Sequence, residues 1–202
     1  MNAPKTLIFG GSGQDGAILS KLALRNGHDL TIISRRPPNL NYEAGIKYYH
    51  LDVRNITQIE TSLEILQPEL IFYCAGQTRS RGDSANADLF DSYATVQHPL
   101  LQIARWMRKN GSKARLINFG SIEMFGTQDA GIDINTKHTP TNLYGIAKSV
   151  AFNDFKFLRE SYGLNVTTIV LGNHESISRG TDRLVGRILS HIKNNSGLKP
   201  LL

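Results

Sequence analysis

Six apolar runs of strand length alternate with amphipathic stretches of helix length along the 202-residue chain, and that alternation restricts the fold more than any single motif. The runs are TLIFG (6–10), DLTIIS (29–34), IKYYHLD (46–52), LIFYCAG (70–76), RLINFGS (115–121) and NVTTIVLGN (165–173). Between them lie stretches of helical spacing. One carries Ile18, Leu22 and Leu24 and ends at Gly27; a second opens at Asn55 with Gln58 three residues on, keeps Ile56, Ile59, Leu63 and Leu66 on one side and stops at Pro68. A long helix over much of 88–109 turns Leu100, Ile103, Ala104 and Met107 to one face, LYGIAKSVAFNDFKFLRESYG is closed by Gly163, and RLVGRILSHIKNN is the last. Strands joined through helices are parallel, with right-handed crossovers. Strands covered on both faces are apolar throughout rather than alternating. The fold class expected is α/β, a doubly wound parallel sheet of the Rossmann type.

Length and composition fit one soluble globular domain: 40% of residues are hydrophobic, 20% are charged, and no apolar run reaches the roughly 18 residues of a membrane span. The start MNAPKTLIFGG has no signal-peptide layout. One cysteine, Cys74, excludes an internal disulfide and a cysteine zinc site. A cytoplasmic protein is expected. The net charge of +6 is spread, with RR at 35–36 and RWMRK at 105–109 the densest groups, so phosphorylated small molecules fit it better than nucleic acid.

The segment GGSGQDG spaces Gly10, Gly13 and Gly16 as G-x-x-G-x-x-G between a strand and a helix. Glycines there let the backbone turn tightly and approach a pyrophosphate, and the helix N-terminus adds free N–H groups and its dipole. At the end of the second strand, where an acidic residue would hold a ribose 2′-hydroxyl, stand Ser34, Arg35 and Arg36. Guanidinium groups bind a 2′-phosphate, so NADP is expected rather than NAD. Asp52, ending the third strand, is placed for the adenine, and CAGQT at the end of the fourth lines the cofactor and then the substrate.

In LYGIAK, Tyr144 and Lys148 lie four residues apart on one helical face. A neighbouring ammonium favours the phenolate, which would make Tyr144 a base near neutrality. Ser121 ends the preceding strand, and Glu123 follows it between Ile122 and Met124, where a carboxylate needs a use or a partner.

Taken together, GGSGQDG, RR (35–36), AGQT (75–78), SIEMFG (121–126), TPTNLYGIAK (139–148) and GNHESISRG (172–180) resemble the extended short-chain dehydrogenase/reductase family, and within it the GDP-mannose 4,6-dehydratases. The likeness covers nearly the whole chain. It departs from that pattern at Ser121 for Thr, Ile122 for a small polar residue, Phe125 for Tyr, Gly76 for Ala, Gly172 for an aromatic residue, and Ile177–Ser178 for Pro-Arg. Such enzymes usually exceed 300 residues, so the substrate-binding part is expected to be short or missing: residues 1–172 form the NADP-binding domain and 173–202 begin a substrate-binding portion.

The resemblance implies a nucleotide-sugar 4,6-dehydratase with Ser121, Glu123, Tyr144 and Lys148 as catalytic residues. It implies a cofactor held by Gly10, Gly13, Gln14, Asp15, Gly16, Arg35, Arg36, Asp52, Val53, Ala75, Gly76, Tyr144, Lys148, Leu171, Asn173 and His174. Substrate contacts fall to Gln77, Thr78, Ser121, Glu123, Asn173 and Arg179; no metal is expected. The substrate expected is a nucleotide sugar such as GDP-mannose, and the assembly a homodimer or homotetramer. An epimerase or reductase on a nucleotide sugar would share the cofactor and Tyr144–Lys148 without needing Glu123 chemically. A non-catalytic cofactor-binding protein would keep the fold alone.

Overall fold

The computed structural model describes residues 3–36, 45–76, 89–129, 131–176 and 184–194. Six parallel strands form one sheet: β1 (Lys5–Phe9), β2 (Asp29–Ser34), β3 (Lys47–His50), β4 (Leu70–Tyr73), β5 (Arg115–Ser121) and β6 (Val166–Leu171), in the order β3-β2-β1-β4-β5-β6. The order reverses between β1 and β4. At such a switch point, connections leave to opposite faces and open a crevice at the strands' C-terminal ends. This is the expected doubly wound sheet.

Strands β1 and β2 are buried almost end to end, as strands covered on both faces must be. The expectation fails at β6, an edge strand whose Ile169 and Val170 remain exposed. β3 is also shorter than its apolar run, ending at His50 and leaving Asp52 two residues beyond.

Helix α1 (Gln14–Arg25) buries Gly16, Ser20 and Ala23, whereas Ile18 and Leu22, the apolar positions that marked it in sequence, are exposed. Small residues let it lie close against β1 and β2. Helix α2 (Ile56–Leu66) is capped by Asn55, whose side chain accepts from the Gln58 N–H, and it buries Ile59 and Leu63. The long helix expected over 88–109 is α3 (Leu89–Ser92), a π turn (Tyr93–Gln97) and α4 (His98–Lys109), continuous along the chain. The wide turn is held by the buried Tyr73 hydroxyl, which donates to the Thr95 carbonyl at 2.5 Å, and by Thr95 Oγ1 donating to Asp91 O at 2.8 Å.

Helix α5 (Leu143–Tyr162) starts at an Asn142 cap and stops at Gly163 in the left-handed region; α6 (Leu184–Asn194) is the last helix described. Leu7, Phe9, Ile71, Tyr73, Ile103, Trp106, Leu116 and Phe155 build the larger core between the sheet and helices α2, α4 and α5. Burial of each such side chain contributes about 1.5–3 kcal/mol. That core fixes the strand ends from which the site is built.

Candidate functional site

Every expected site residue that is described lies at or just beyond a strand's C-terminal end, or on the first turns of α1 and α5. Gln77, Thr78 and Arg179 fall outside the described residues.

The β1–α1 loop depends on missing side chains. Gly10 has φ +80°, and a Cβ there would lie 2.7 Å from the Ala75 nitrogen; one on Gly16 would lie 2.4 Å from the Gly10 oxygen. Gly11, not singled out in the sequence, faces Ile32, whose Cβ would stand 2.5 Å away. Its signal was the Gly-Gly doublet. Gly13 caps α1 without any side-chain hydrogen bond, so the helix's first N–H groups point to the rim without a side-chain acceptor there.

Gln14 and Asp15 reach across to the segment after β6. Gln14 Nε2 donates to the His174 carbonyl at 3.3 Å, and Asp15 Oδ1 lies 2.6 Å from His174 Nε2. His174 Nδ1 is 2.8 Å from the Gly172 carbonyl. Both ring nitrogens thus meet acceptors, and the imidazolium is the form that donates to both. Buried Gln14 Oε1 and Ser176 Oγ, on the two sides of this link, have no hydrogen-bond partner among the described residues. A close-approach glycine cradle, an open helix N-terminus and orphaned polar atoms fit a dinucleotide.

Beyond β2, Ser34 Oγ donates to the Arg36 carbonyl at 2.6 Å and leaves Arg35 and Arg36 exposed. Asp52 accepts from Arg54: Nε at 3.1 Å to each oxygen, and Nη2 at 2.6 Å. That guanidinium, and more weakly the Arg35 charge, holds the Asp52 carboxyl below its usual range. Arg54 was not singled out in the sequence. Val53 is packed in the core rather than open at the rim.

The end of β4 meets α5. Gly76 lies beside the Tyr144–Lys148 pair, its Cβ position 3.7 Å from Lys148 Nζ and 3.8 Å from Tyr144 Cε2. Ala75 packs against the larger core. Lys148 is buried, donates to the Phe119 carbonyl and sits 5.5 Å from the Tyr144 ring centroid. Burial pushes Lys148 down to about 8. Tyr144 is pushed up to about 12, first by burial and then by the Asp15 and Glu123 charges. This corrects the expected direction: the ammonium is close, but the site in this state holds Tyr144 as a neutral phenol. Burial also raises the Cys74 thiol, which disfavours its thiolate.

Ser121 ends β5 and accepts from the Glu123 N–H at 3.2 Å, starting a 3₁₀ turn (Ile122–Met124). Glu123 is exposed, and its Oε2 accepts from Asn142 Nδ2 at 2.6 Å. Asn142 Oδ1 in turn accepts from the Gly145 N–H at 2.8 Å. A Cβ on Gly145 would fall 2.4 Å from the Glu123 carbonyl, and one on Gly126 2.1 Å from the Thr139 carbonyl. The turn after β5 and the start of α5 are therefore one packed unit. Asn142, missed in the sequence, had a signal there: an Asn directly before an apolar helical run. Leu171 closes β6, and Asn173 is exposed just past it.

The profile of the "NAD dependent epimerase/dehydratase family" matches residues 6–200. The chain belongs to this family. Among curated members it is similar to GDP-mannose 4,6 dehydratase 1 of Arabidopsis thaliana, 28% identical over 93% of this chain and 57% of the relative. It is 25% identical to the GDP-mannose 4,6-dehydratase of Vibrio cholerae serotype O1, over 96% and 56%. It therefore spans a little over half the length of these relatives. Among solved structures, a putative epimerase from Burkholderia cenocepacia superposes with TM-score 0.82 at 14% identity, covering 96% of this chain and 62% of that one. UDP-glucose 4-epimerase from Brucella ovis, in complex with NAD, gives 0.73 at 18%, covering 85% and 52%. These two likenesses establish the shared fold.

Proposed function

We propose that this chain carries the cofactor half and the acid/base residues of a nucleotide-sugar 4,6-dehydratase of the GDP-mannose type. The observation that carries the reading is a carboxylate, Glu123, docked on the first turn of the helix that bears Tyr144 and close enough for its charge to act on that phenol. An epimerase or a simple reductase has no step that needs this group.

The dinucleotide would be held by the β1–α1 cradle, by Arg35 and Arg36 at a 2′-phosphate, by Asp52 at the adenine and by Lys148 at the nicotinamide ribose. When bound, it supplies a hydride acceptor at the sugar's C4, a donor at C6, and a positive charge beside the phenol. Tyr144 takes the C4 hydroxyl proton while Ser121 polarises that oxygen. The resulting 4-ketone acidifies C5–H. Glu123 removes that proton and passes it to the C6 hydroxyl, which leaves as water. Residues 173–202 would begin the portion that meets the substrate, with Asn173 and Arg179 as candidate contacts. The cofactor reading is NADP; replacing Arg35 and Arg36 with Ala should narrow the gap between NADP and NAD affinities, and equal affinities in the parent protein, by calorimetry, count against it.

Glu123→Gln tests the function. It keeps the shape and removes the proton carrier. Dehydration of GDP-mannose should fall by about 10²–10⁴-fold, while C4 oxidation, followed by nicotinamide absorbance in a single turnover, falls much less. Near-parental dehydration in this variant would make Glu123 structural and move the epimerase or reductase reading ahead.

A further inference from the structure

Asn142 caps α5 and touches Glu123 at the same time, and the two contacts constrain each other. An isolated carboxamide can turn either end toward a neighbour. Here Oδ1 accepts the Gly145 N–H at 2.8 Å, and an acceptor is required at that place because the N–H belongs to the first turn of the helix. The other end must then be the NH₂ group, and it donates to Glu123 Oε2 at 2.6 Å. A carboxylate has no proton to offer in return, so the reversed amide would lose both hydrogen bonds at once. The backbone reinforces the arrangement. Gly145, without a Cβ, lets the Glu123 carbonyl pack onto the helix turn, and the Ser121 hydroxyl fixes the Glu123 N–H. Glu123 is thus held at its backbone and at one carboxylate oxygen, while Oε1 has no hydrogen-bond partner among the described residues.

We propose that Asn142 is a positioning residue for Glu123: it anchors one carboxylate oxygen to the helix that carries Tyr144 and leaves the other to move protons at the sugar's C5 and C6. The inference rests on the acid/base reading of Glu123. It explains how an exposed glutamate, with many rotamers open to it, is kept in one place: it is tied to Asn142, which stands directly before the helix that carries the phenol. Among the described residues, Glu123 and, from α1, Asp15 both act on the Tyr144 phenol, and Lys148 lies 5.5 Å from its ring centroid.

Two substitutions separate capping from positioning. Asn142→Asp and Asn142→Ser both keep an oxygen for the Gly145 N–H, since Asp and Ser are good caps. Asp sets a carboxylate against Glu123, and Ser is too short to reach it. Melting temperatures should stay near the parent's for both, and Asn142→Ala, which loses the cap as well, should fall below them. With GDP-mannose, exchange of the C5 hydrogen with solvent deuterium should drop by about 10–100-fold in the Asp and Ser variants, the usual scale for a misplaced group, while C4 oxidation changes by only a few-fold. Independently of turnover, the NMR signal of the Glu123 carboxyl carbon at fixed pH should move in both the Asp and the Ser variants, since each removes the hydrogen bond to Oε2. Parental exchange rates together with an unmoved signal would reduce Asn142 to a helix cap and overturn the proposal. A parent protein that exchanges no C5 hydrogen with GDP-, UDP- or CDP-sugars overturns the dehydratase reading instead, and the NMR signal in the Asp and Ser variants then still decides whether Asn142 holds Glu123.

Discussion

Lys148 has 2% of its surface exposed and an ammonium held by one strand carbonyl, so at neutral pH it opposes folding. Its pKa is pushed from 10.5 down to about 8 by burial. Below pH 8 both folded and unfolded chains carry the proton and the full penalty stands. Between about pH 8 and 10 the unfolded chain binds more protons than the native one, so stability rises with pH across that window. Above pH 10 the raised Tyr144 acts in the opposite sense, because the native phenol keeps a proton that the unfolded one releases. We therefore expect Lys148→Met to be inactive yet more stable than the parent at pH 7, by roughly 2–3 kcal/mol, with the gain shrinking toward pH 9.5. Urea denaturation at the two pH values checks both statements, and a gain that does not depend on pH would contradict the assignment. The pairing of Tyr144 with Lys148 was legible from a spacing of four. The direction of the Tyr144 shift was not, because it comes from burial and from carboxylates on α1 and on the turn after β5, which helical spacing does not report.

Among the elements, the β1–α1 loop shows which glycines the backbone needs. Gly16→Ala would drive a methyl to 2.4 Å from the Gly10 carbonyl and 2.6 Å from the Gly11 Cα, both backbone atoms with nowhere to go. It should cost about 1–3 kcal/mol and abolish dinucleotide binding. Gly76→Ala is the contrast: its methyl would meet Lys148 and Tyr144 at 3.7–3.9 Å, ordinary contact, so stability should change by less than about 0.5 kcal/mol and binding should survive. Denaturant midpoints and calorimetry on the pair test this, and equal effects would refute it. The elements themselves were mostly readable, down to the Asn55 cap of α2. The packing face of α1 was misread because hydrophobic periodicity finds large residues, whereas close approach is made by Gly16, Ser20 and Ala23. The π turn was invisible because the hydroxyl that holds it comes from Tyr73, 22 residues upstream.

For the whole molecule, strand–helix alternation was enough to give the parallel sheet and the rim on which the site residues gather. It did not reveal that β6 would stand at an edge, because VTTIVL reads like an interior strand. We propose that the chain pairs through the α4–α5 face, where Leu101, Phe157 and Tyr162 stay exposed. Light scattering should give a dimer or larger, and Phe157→Glu a monomer; a parent that is monomeric at tens of micromolar, roughly where weak interfaces come apart, defeats this. Strand β6 has a different consequence. Its Ile169 and Val170, 41% and 39% exposed, flank a strand edge that bears no lysine, proline or bulge of the kind that keeps such edges from pairing. Among the described residues no strand pairs with its outer side, where Arg159 Nη1 donates to the Val166 carbonyl at 3.4 Å near the start of the strand. That margin is a template on which a second chain can add a strand, so refolding should compete with aggregation whose yield loss grows with protein concentration. Ile169→Lys should restore soluble yield at high concentration while leaving the denaturant midpoint nearly unchanged.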